Sequence, residues 1–158
     1  MSNLVQRVNL YPCPISMRNL TTSEESAGTG LDIKDGVATI TPGSAARPYV
    51  FYGSSAFTPG DRLTLACRLA STDAVADNET LVQVFSRNWT NLGGWRKKDG
   101  SECRISFTVP ADGFLHVRFT PGGGTLKVSR INIETTETFD ESLPFFYYGT
   151  MPDPRSAS

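Results

Sequence analysis

The residues of this chain that could take part in catalysis are few and do not form a recognisable set. His116 is the single histidine among 158 residues, which excludes a metal cluster or a proton relay built on several histidines. No Gly-x-Ser-x-Gly elbow is present for a Ser-His-Asp triad, and no phosphate-binding or dinucleotide motif occurs. The acidic residues that could form a glycosidase pair lie mostly in predicted turns: Asp61, Asp73, Glu79 and Asp112. We therefore predict no enzymatic activity, no metal site and no cofactor.

Aromatic residues carry the positive indication of a ligand. Trp89 and Trp95 flank a polar, glycine-rich stretch that we interpret as a loop, and Tyr52 lies in a predicted strand followed by Gly53. Flat aromatic faces stack on sugar rings, and neighbouring polar side chains hold the hydroxyls. The candidate carbohydrate-binding residues are Trp89, Trp95 and Tyr52 for stacking, with Arg87, Asn88 and Asn91 as polar partners. The alternative is that these aromatic residues serve only core or loop packing.

Charge and length exclude several other partners. The net charge is −1 and the pI about 5.8, so no positive field is available for nucleic acid. No apolar run reaches the roughly 18 residues of a membrane helix. The first residues show neither a basic segment nor an apolar one, so we expect no Sec-type signal peptide. Three cysteines, Cys13, Cys67 and Cys103, are an odd and widely spaced set, which argues against a disulfide framework. We expect synthesis in a cytoplasm.

The elements that must position these residues are strands. Apolar residues alternate with polar ones between turn signals, and the dipeptide Asp35-Gly36 predicts a hairpin. About eight short strands predict an antiparallel two-sheet β-sandwich with little helix, and a break near Ser129-Arg130 predicts a bulge. The tripeptide at residues 92–94 is interpreted as a turn. The predicted core contains Leu63, Leu65, Ile105, Phe107, Leu115, Val117 and Phe119.

The two ends of the chain do not follow this alternation. Residues 1–27 are predicted to form an N-terminal arm and first edge segment, 28–134 the β-sandwich domain, and 135–158 a C-terminal arm. The C-terminal arm contains a concentrated apolar and aromatic cluster of Leu143, Phe145, Phe146, Tyr147 and Tyr148. Such a cluster costs free energy if it stays in water, so we predict that these residues make assembly contacts with the sandwich itself or with a neighbour.

Five short motifs, taken in order, resemble a known family. N-L-Y-P-C-P at 9–14 resembles the opening of jelly-roll, carbohydrate-binding-like domains, with Cys13 in place of the usual asparagine. The segment at 57–69 resembles the turn and outer strand of such domains, and 107–119 resembles the strand–turn–strand that follows. The segment at 126–134 resembles their last strand, which ends in an acidic residue, here Glu134. P-F-F-Y-Y-G-T-M-P-D at 144–153 is similar to the ending that follows such domains in minor tail proteins of actinobacteria-infecting phages, with Tyr148 replacing an aspartate.

This resemblance implies a galactose-binding-like jelly roll in a minor tail protein of a tailed phage, assembled in the host cytoplasm and located in the virion. The implied partners are other phage structural proteins, including further copies of this chain as a homo-oligomer, and a host surface glycan. Neither nucleic acid nor a membrane is an expected partner. The alternatives are a carbohydrate-binding module that recognises host cell-wall glycan and a capsid decoration protein.

Overall fold

The computed structural model describes residues 6–14, 16–139 and 149–152. These residues form eleven strands and one 3-10 turn, Lys97–Asp99. The strands are β1 (Gln6–Asn9), β2 (Gly30–Lys34), β3 (Val37–Thr41), β4 (Val50–Ser54), β5 (Arg62–Ser71), β6 (Thr80–Phe85), β7 (Asn91–Arg96), β8 (Glu102–Thr108), β9 (Leu115–Phe119), β10 (Leu126–Thr135) and β11 (Gly149–Pro152). The described part of the chain has no α-helix.

Two antiparallel sheets pack face to face and confirm the predicted β-sandwich. One sheet has five strands in the order β2-β3-β10-β5-β8, and the other has four in the order β4-β9-β6-β7. β1 and β11 form a separate two-stranded ribbon. Every strand pair is antiparallel.

The alternating strands place one apolar face of each sheet in a shared core. In β8, Cys103, Ile105 and Phe107 are buried whereas the residues between them are exposed. The two-residue period of a strand explains this pattern, since successive side chains point to opposite faces. All seven core residues predicted from the sequence are buried, at 5% exposure or less.

Local irregularities also follow the sequence signals. Asp35 and Gly36 both have positive φ, 53° and 76°, as a two-residue hairpin turn between β2 and β3 requires. In β10 the pairing register with β5 shifts between Ser129 and Asn132, and Arg130 adopts a φ of 56°. The predicted bulge is therefore confirmed.

The prediction of a turn at residues 92–94 is wrong. These residues lie inside β7, and the stretch interpreted as a loop is a hairpin followed by a strand and a 3-10 turn. A Cβ at Gly93 would lie 2.4 Å from Cγ2 of Ile105 in the opposite sheet. Gly93 is therefore required by close packing rather than by a turn.

The N-terminal segment differs from an extended arm. Tyr11, Met17 and Leu20 are buried in the core, and Thr21 forms an isolated bridge with Phe51 at the edge of β4. Apolar and polar residues do not alternate in this segment, because loops rather than strands carry these side chains into the core. The predicted assembly residues Leu143, Phe145, Phe146, Tyr147 and Tyr148 lie outside the described residues. Among the described residues, no helix has the length and apolar character needed to cross a membrane.

Candidate functional site

The outer face of the four-stranded sheet, which is turned away from the core, carries the candidate site. Val82, Val84 and Val117 point into the core. The side chains between them therefore point outward. The register places two outward rows across the sheet, Phe85–His116–Gly53 and Gly94–Gln83–Arg118–Phe51. This face thus combines aromatic rings, a histidine and an arginine.

The rings form a continuous aromatic platform, consisting of Tyr49, Phe51, Phe85, Trp89 and His116. His116 lies at its centre: its ring stacks on Phe51, with centroids 4.4 Å apart and planes inclined by 12°. Trp89 meets the same imidazole edge-on at 4.9 Å, and Phe85 does so at 6.1 Å. Each ring is therefore fixed by at least one neighbour before any ligand arrives.

Trp89 is the exposed member of the platform and is held by an unusual backbone conformation. It ends the hairpin turn between β6 and β7, where the Trp89 amide donates to the Ser86 carbonyl at 3.1 Å and the Thr90 amide to Ser86 Oγ at 3.1 Å. Its φ is 61°, in the left-handed region that usually selects glycine at this position of a hairpin. With 59% of its surface exposed, the indole packs on Phe85 and His116 at one side and faces solvent at the other.

Arg118 is a cation of this face and lies among the rings. Its guanidinium carbon is 3.8 Å from the ring centroid of Tyr49, 5.1 Å from that of Phe85 and 5.5 Å from that of Trp89. Its Nε donates to Nε2 of His116 at 3.4 Å, which requires a neutral imidazole. Burial, assisted by the charge of Arg118, lowers the pKa of His116 from 6.5 to about 4.

A polar groove of about 430 Å³ continues from the platform along the same side of the sandwich. Tyr49 is a member of the platform and also lines the groove, and Arg118, which lies among the platform rings, lines the groove as well. The other groove-lining residues are Glu25, Arg47, Pro48, Asn78, Glu79, Thr80, Gln83 and Thr120. Arg47 donates to Glu25 at 2.6 Å and the Tyr49 hydroxyl donates to the same carboxylate at 3.1 Å. These hydrogen bonds, that of Arg47 first, lower the pKa of Glu25.

Two of the three aromatic residues predicted from the sequence lie away from Trp89. Tyr52 points to the opposite face of β4, where it packs edge-on against Tyr11 at 5.1 Å and lines a different pocket, of about 260 Å³. Trp95 packs against the core, and its Nε1 donates to the Gly100 carbonyl at 2.9 Å. Trp95 is paired with Val82, whose side chain points into the core. The Trp95 side chain therefore lies on the same inward face of the sheet, away from the platform.

The predicted polar partners stay near Trp89, though two of them already have intramolecular roles. Arg87 forms an ion pair with Asp112 at 3.0 Å and lies over the Phe114 ring at 4.4 Å. The backbone amide of Phe114, followed by Arg87, lowers the pKa of Asp112. Asn91 Oδ1 accepts from the Gly93 amide at 2.9 Å. Asn88 is exposed beside Trp89 in the hairpin turn.

Five residues in or beside the platform were not among the sequence candidates, namely Tyr49, Phe51, Phe85, His116 and Arg118. Apolar residues at consecutive positions of β6 conceal which of them face outward, so Phe85 could not be separated from core residues. The sequence did contain a signal for two of them. His116 and Arg118 alternate with the core residues Leu115, Val117 and Phe119, which places both on the outer face of the sheet.

Metal binding finds no support in the part of the chain that the structure describes. No group of three or more histidine, cysteine or acidic side chains is arranged there to hold an ion. Cys67 and Cys103 are buried partners across β5 and β8, and both are free thiols. The chemistry available on the outer face is therefore stacking, hydrogen bonding and ion pairing.

Comparison with known proteins identifies the fold. No protein-family model and no curated protein sequence matches the chain. A CBM4 structure superposes with a TM-score of 0.52 at 18% identity, covering 72% of this chain and 81% of that one. A mutant of a family 29 carbohydrate-binding module gives a TM-score of 0.52 at 14% identity, covering 89% of this chain and all of its own. A family 29 module mutant in complex with cellulohexaose gives 0.53 at 14%, covering 87% and 97%. The fold is that of a carbohydrate-binding-module β-sandwich.

Proposed function

We propose that this protein is a non-catalytic carbohydrate-binding module whose ligand lies across the aromatic platform and the polar groove. The observation that carries the proposal is Trp89, a largely exposed indole held in a left-handed backbone conformation on a surface of prearranged rings. Strained backbone of this kind costs of order 1–3 kcal/mol and clusters at functional sites. A sugar ring stacked on Trp89 would use the surface that this conformation presents.

The length of the combined site favours an oligosaccharide over a single sugar. Along this part of the chain the platform includes His116 and the groove extends to Thr120, the residue after β9, a separation of four residues. At about 3.3 Å per residue this corresponds to roughly 13 Å, before the ring of Trp89 is counted. Rings at one end and amide, hydroxyl and carboxylate groups at the other suit the alternating apolar faces and hydroxyl edges of a glycan chain. The similarity in fold to modules that include a cellulohexaose complex supports this class of ligand.

The test is a binding screen with two tryptophan variants. Immobilised β-glucans, mannans, xylans, galactans and bacterial cell-wall polysaccharides would be probed with the wild-type protein, followed by calorimetry on the glycan selected. We expect Trp89→Ala to weaken binding about 30-fold, as loss of a stacking tryptophan at a binding hot spot does. Trp95→Phe is the matched control, because it changes an indole that packs on the core, and it should bind as the wild type does.

Two results would contradict the proposal. One is the absence of binding to every polysaccharide in the screen. The other is equal loss of binding in Trp89→Ala and Trp95→Phe, which would indicate a general effect on the fold rather than a site at Trp89.

A second candidate function is a structural role in a phage virion, as a minor tail protein whose glycan-binding face touches the host. It rests on the five ordered sequence motifs and on one structural observation. In the β1–β11 ribbon and the residue after it, Val8 and Leu10 are 36% and 37% exposed, beside the sandwich rather than within it. Apolar side chains at such a position suit contact with another copy or another tail protein. Cryo-electron microscopy of particles carrying this chain would locate it and its neighbours.

A further inference from the structure

The guanidinium of Arg118 is enclosed by aromatic rings and forms no ion pair with a carboxylate among the described residues. Glu25 lines the same groove, and the charge of Arg118 is the last of the effects that lower the pKa of its carboxyl group. The polar side-chain contact of Arg118 is the neutral His116 nitrogen at 3.4 Å, and Tyr49, Phe85 and Trp89 surround it. Among the described residues, no acidic oxygen lies within 4.0 Å of its nitrogens. We infer that the glycan bound on this face carries a carboxylate, as in a uronic acid, and that Arg118 binds it. This inference rests on the proposed glycan-binding function.

The other two arginines of this face show the contrast. Arg47 is ion-paired with Glu25 at 2.6 Å, and Arg87 with Asp112 at 3.0 Å. Both of those pairs are at the surface, where water alone could solvate the charge. Arg118, by comparison, is partly buried, so its charge has exchanged water for ring faces. A partly desolvated cation that forms no direct ion pair in the described part of the chain favours a ligand anion.

The chemistry of the guanidinium suits a carboxylate more than a hydroxyl. Its planar fork presents parallel N–H donors that match the two oxygens of a carboxylate, and ionic hydrogen bonds of this type are roughly twice as strong as neutral ones. The Nε hydrogen is directed to His116, which leaves the terminal nitrogens for the ligand. Tyr49 at 3.8 Å keeps the guanidinium plane from turning away. A sugar stacked on Trp89 would therefore present its acidic group beside Arg118.

Glu79 limits where the acidic sugar lies. It lines the groove, and its side chain rests against the turn at Gly122, where an added Cβ would come within 3.0 Å of Glu79 Cγ. It forms no ion pair among the described residues. A second carboxylate at the groove end would be repelled by Glu79, so the ligand is expected to carry its acid at the platform end and neutral sugars along the groove.

The experiment compares three hexasaccharides that share one β-1,4 backbone. They are cellohexaose, a hexamer of alternating glucose and glucuronate, and a hexamer of glucuronate alone, so that carbon 6 is the single point of difference. Affinities would be measured by calorimetry at pH 7 and low salt with the full chain. We expect the alternating hexamer to bind about tenfold more tightly than cellohexaose, from one charge-assisted bidentate contact. This preference should shrink as the salt concentration rises.

Four variants locate the effect. Arg118→Gln should remove the preference for the alternating hexamer, and Arg118→Lys should restore only part of it, because lysine keeps the charge without the fork. Glu79→Gln should strengthen binding of the all-glucuronate hexamer relative to cellohexaose, because it removes the negative charge from the groove. Lys127→Gln, an equal charge change on the exposed face of the other sheet, is the control and should leave all three affinities unaltered.

Each outcome has a distinct meaning. If cellohexaose binds as tightly as the alternating hexamer, the acidic ligand is wrong and the glycan-binding function stands. If the preference survives in Arg118→Gln, the assignment to Arg118 is overturned. If none of the hexamers binds and the polysaccharide screen is also negative, the proposed function itself fails.

Discussion

At the residue scale, Trp89 combines three properties that core packing does not require. It is bulky, exposed and in the left-handed region, where an L residue other than glycine costs roughly 1–2 kcal/mol. A glycine would close the same hairpin between β6 and β7 without that cost. The indole therefore serves the surface it helps to form, the ring cluster over His116, rather than the stability of the turn.

The neighbouring residue His116 makes stability depend on pH. Its pKa is lowered from 6.5 to about 4 in the folded protein, so between these values the unfolded chain binds a proton that the folded protein does not. This contribution to stability is complete above pH 6.5 and is lost as the pH falls towards 4. Between pH 7.5 and 4.5 it amounts to on the order of 2 kcal/mol.

We predict that His116→Gln flattens this pH dependence. Urea denaturation at pH 7.5 and 4.5 would be compared for wild type and variant, which cancels the contributions of groups common to both, including Glu25 and Asp112. The wild type should lose about 2 kcal/mol more than the variant on acidification. Equal losses would mean that His116 does not titrate in this range.

At the element scale, β7 shows what periodicity alone does not reveal. Its two consecutive glycines look like a turn in the sequence, but each faces a different surface. Gly93 approaches Ile105 of the opposite sheet, whereas a Cβ at Gly94 would find ordinary contacts at 3.5 Å or more. A sequence signal for glycine cannot distinguish close packing from turn geometry, because both need the absence of a side chain.

The two glycines form a matched pair for mutagenesis. Gly93→Ala should lower the free energy of unfolding by about 1–3 kcal/mol, since the added methyl group overpacks the contact with Ile105. Gly94→Ala should change it by no more than about 0.5 kcal/mol, as expected of a surface substitution. Chemical denaturation of both variants gives the comparison. Equal effects would show that the sheets separate freely at this edge.

β10 is anchored by a buried ion pair at its C-terminal end. Glu134 accepts from Arg7 through both carboxylate oxygens, from Asn132 at 2.8 Å and from Thr138 at 2.7 Å, and both members of the pair are almost fully buried. The contact connects β10 to the N-terminal strand β1, which explains why an acidic residue stands next to the last residue of this strand.

We predict that Glu134→Ala lowers stability by about 3–5 kcal/mol, because it removes the carboxylate that pairs with the buried Arg7 guanidinium. The double variant Arg7→Met, Glu134→Leu should recover much of this loss, since two apolar side chains replace two charges. Thermal and urea unfolding would measure both. A double variant less stable than the single one would show that the pair contributes more than charge compensation.

At the scale of the whole molecule, the sandwich was predictable from the sequence and the site was not. Leu63, Ile105 and Phe119 lie on strands with one polar face, so alternation identified them as core. Trp89 and Trp95 are six residues apart in sequence, yet the hairpin turn and strand parity send them to different surfaces. Phe51 and His116 come together because β4 and β9 pair, a contact between segments far apart in the chain. A single sequence contains no direct signal for such pairing.

The two candidate functions use different parts of the molecule, which allows them to be separated. The proposed glycan-binding face lies on the outer face of the four-stranded sheet. The β1–β11 ribbon pairs the N-terminal strand with residues 149–152, and it lies next to β10 of the five-stranded sheet. Removing residues 143–158 takes away β11 and the apolar cluster predicted to make assembly contacts. The described residues of the aromatic platform and the polar groove all lie between Glu25 and Thr120.

We predict that the chain truncated after residue 142 still unfolds cooperatively and binds glycan as the full chain does, while its self-association or incorporation into particles is weakened. The described core residues lie between Tyr11 and Ile133, so the truncation leaves them in place while it removes the ladder of β1 with β11. Burying even part of the aromatic surface of residues 143–148 on a neighbour is worth several kcal/mol at about 25 cal/mol per Å².

Analytical ultracentrifugation across a concentration series measures self-association, and calorimetry with the selected glycan serves as the internal control. If the truncated chain associates as strongly as the full one, the C-terminal segment is not an assembly element, whereas a loss of glycan binding would show that the two surfaces are coupled.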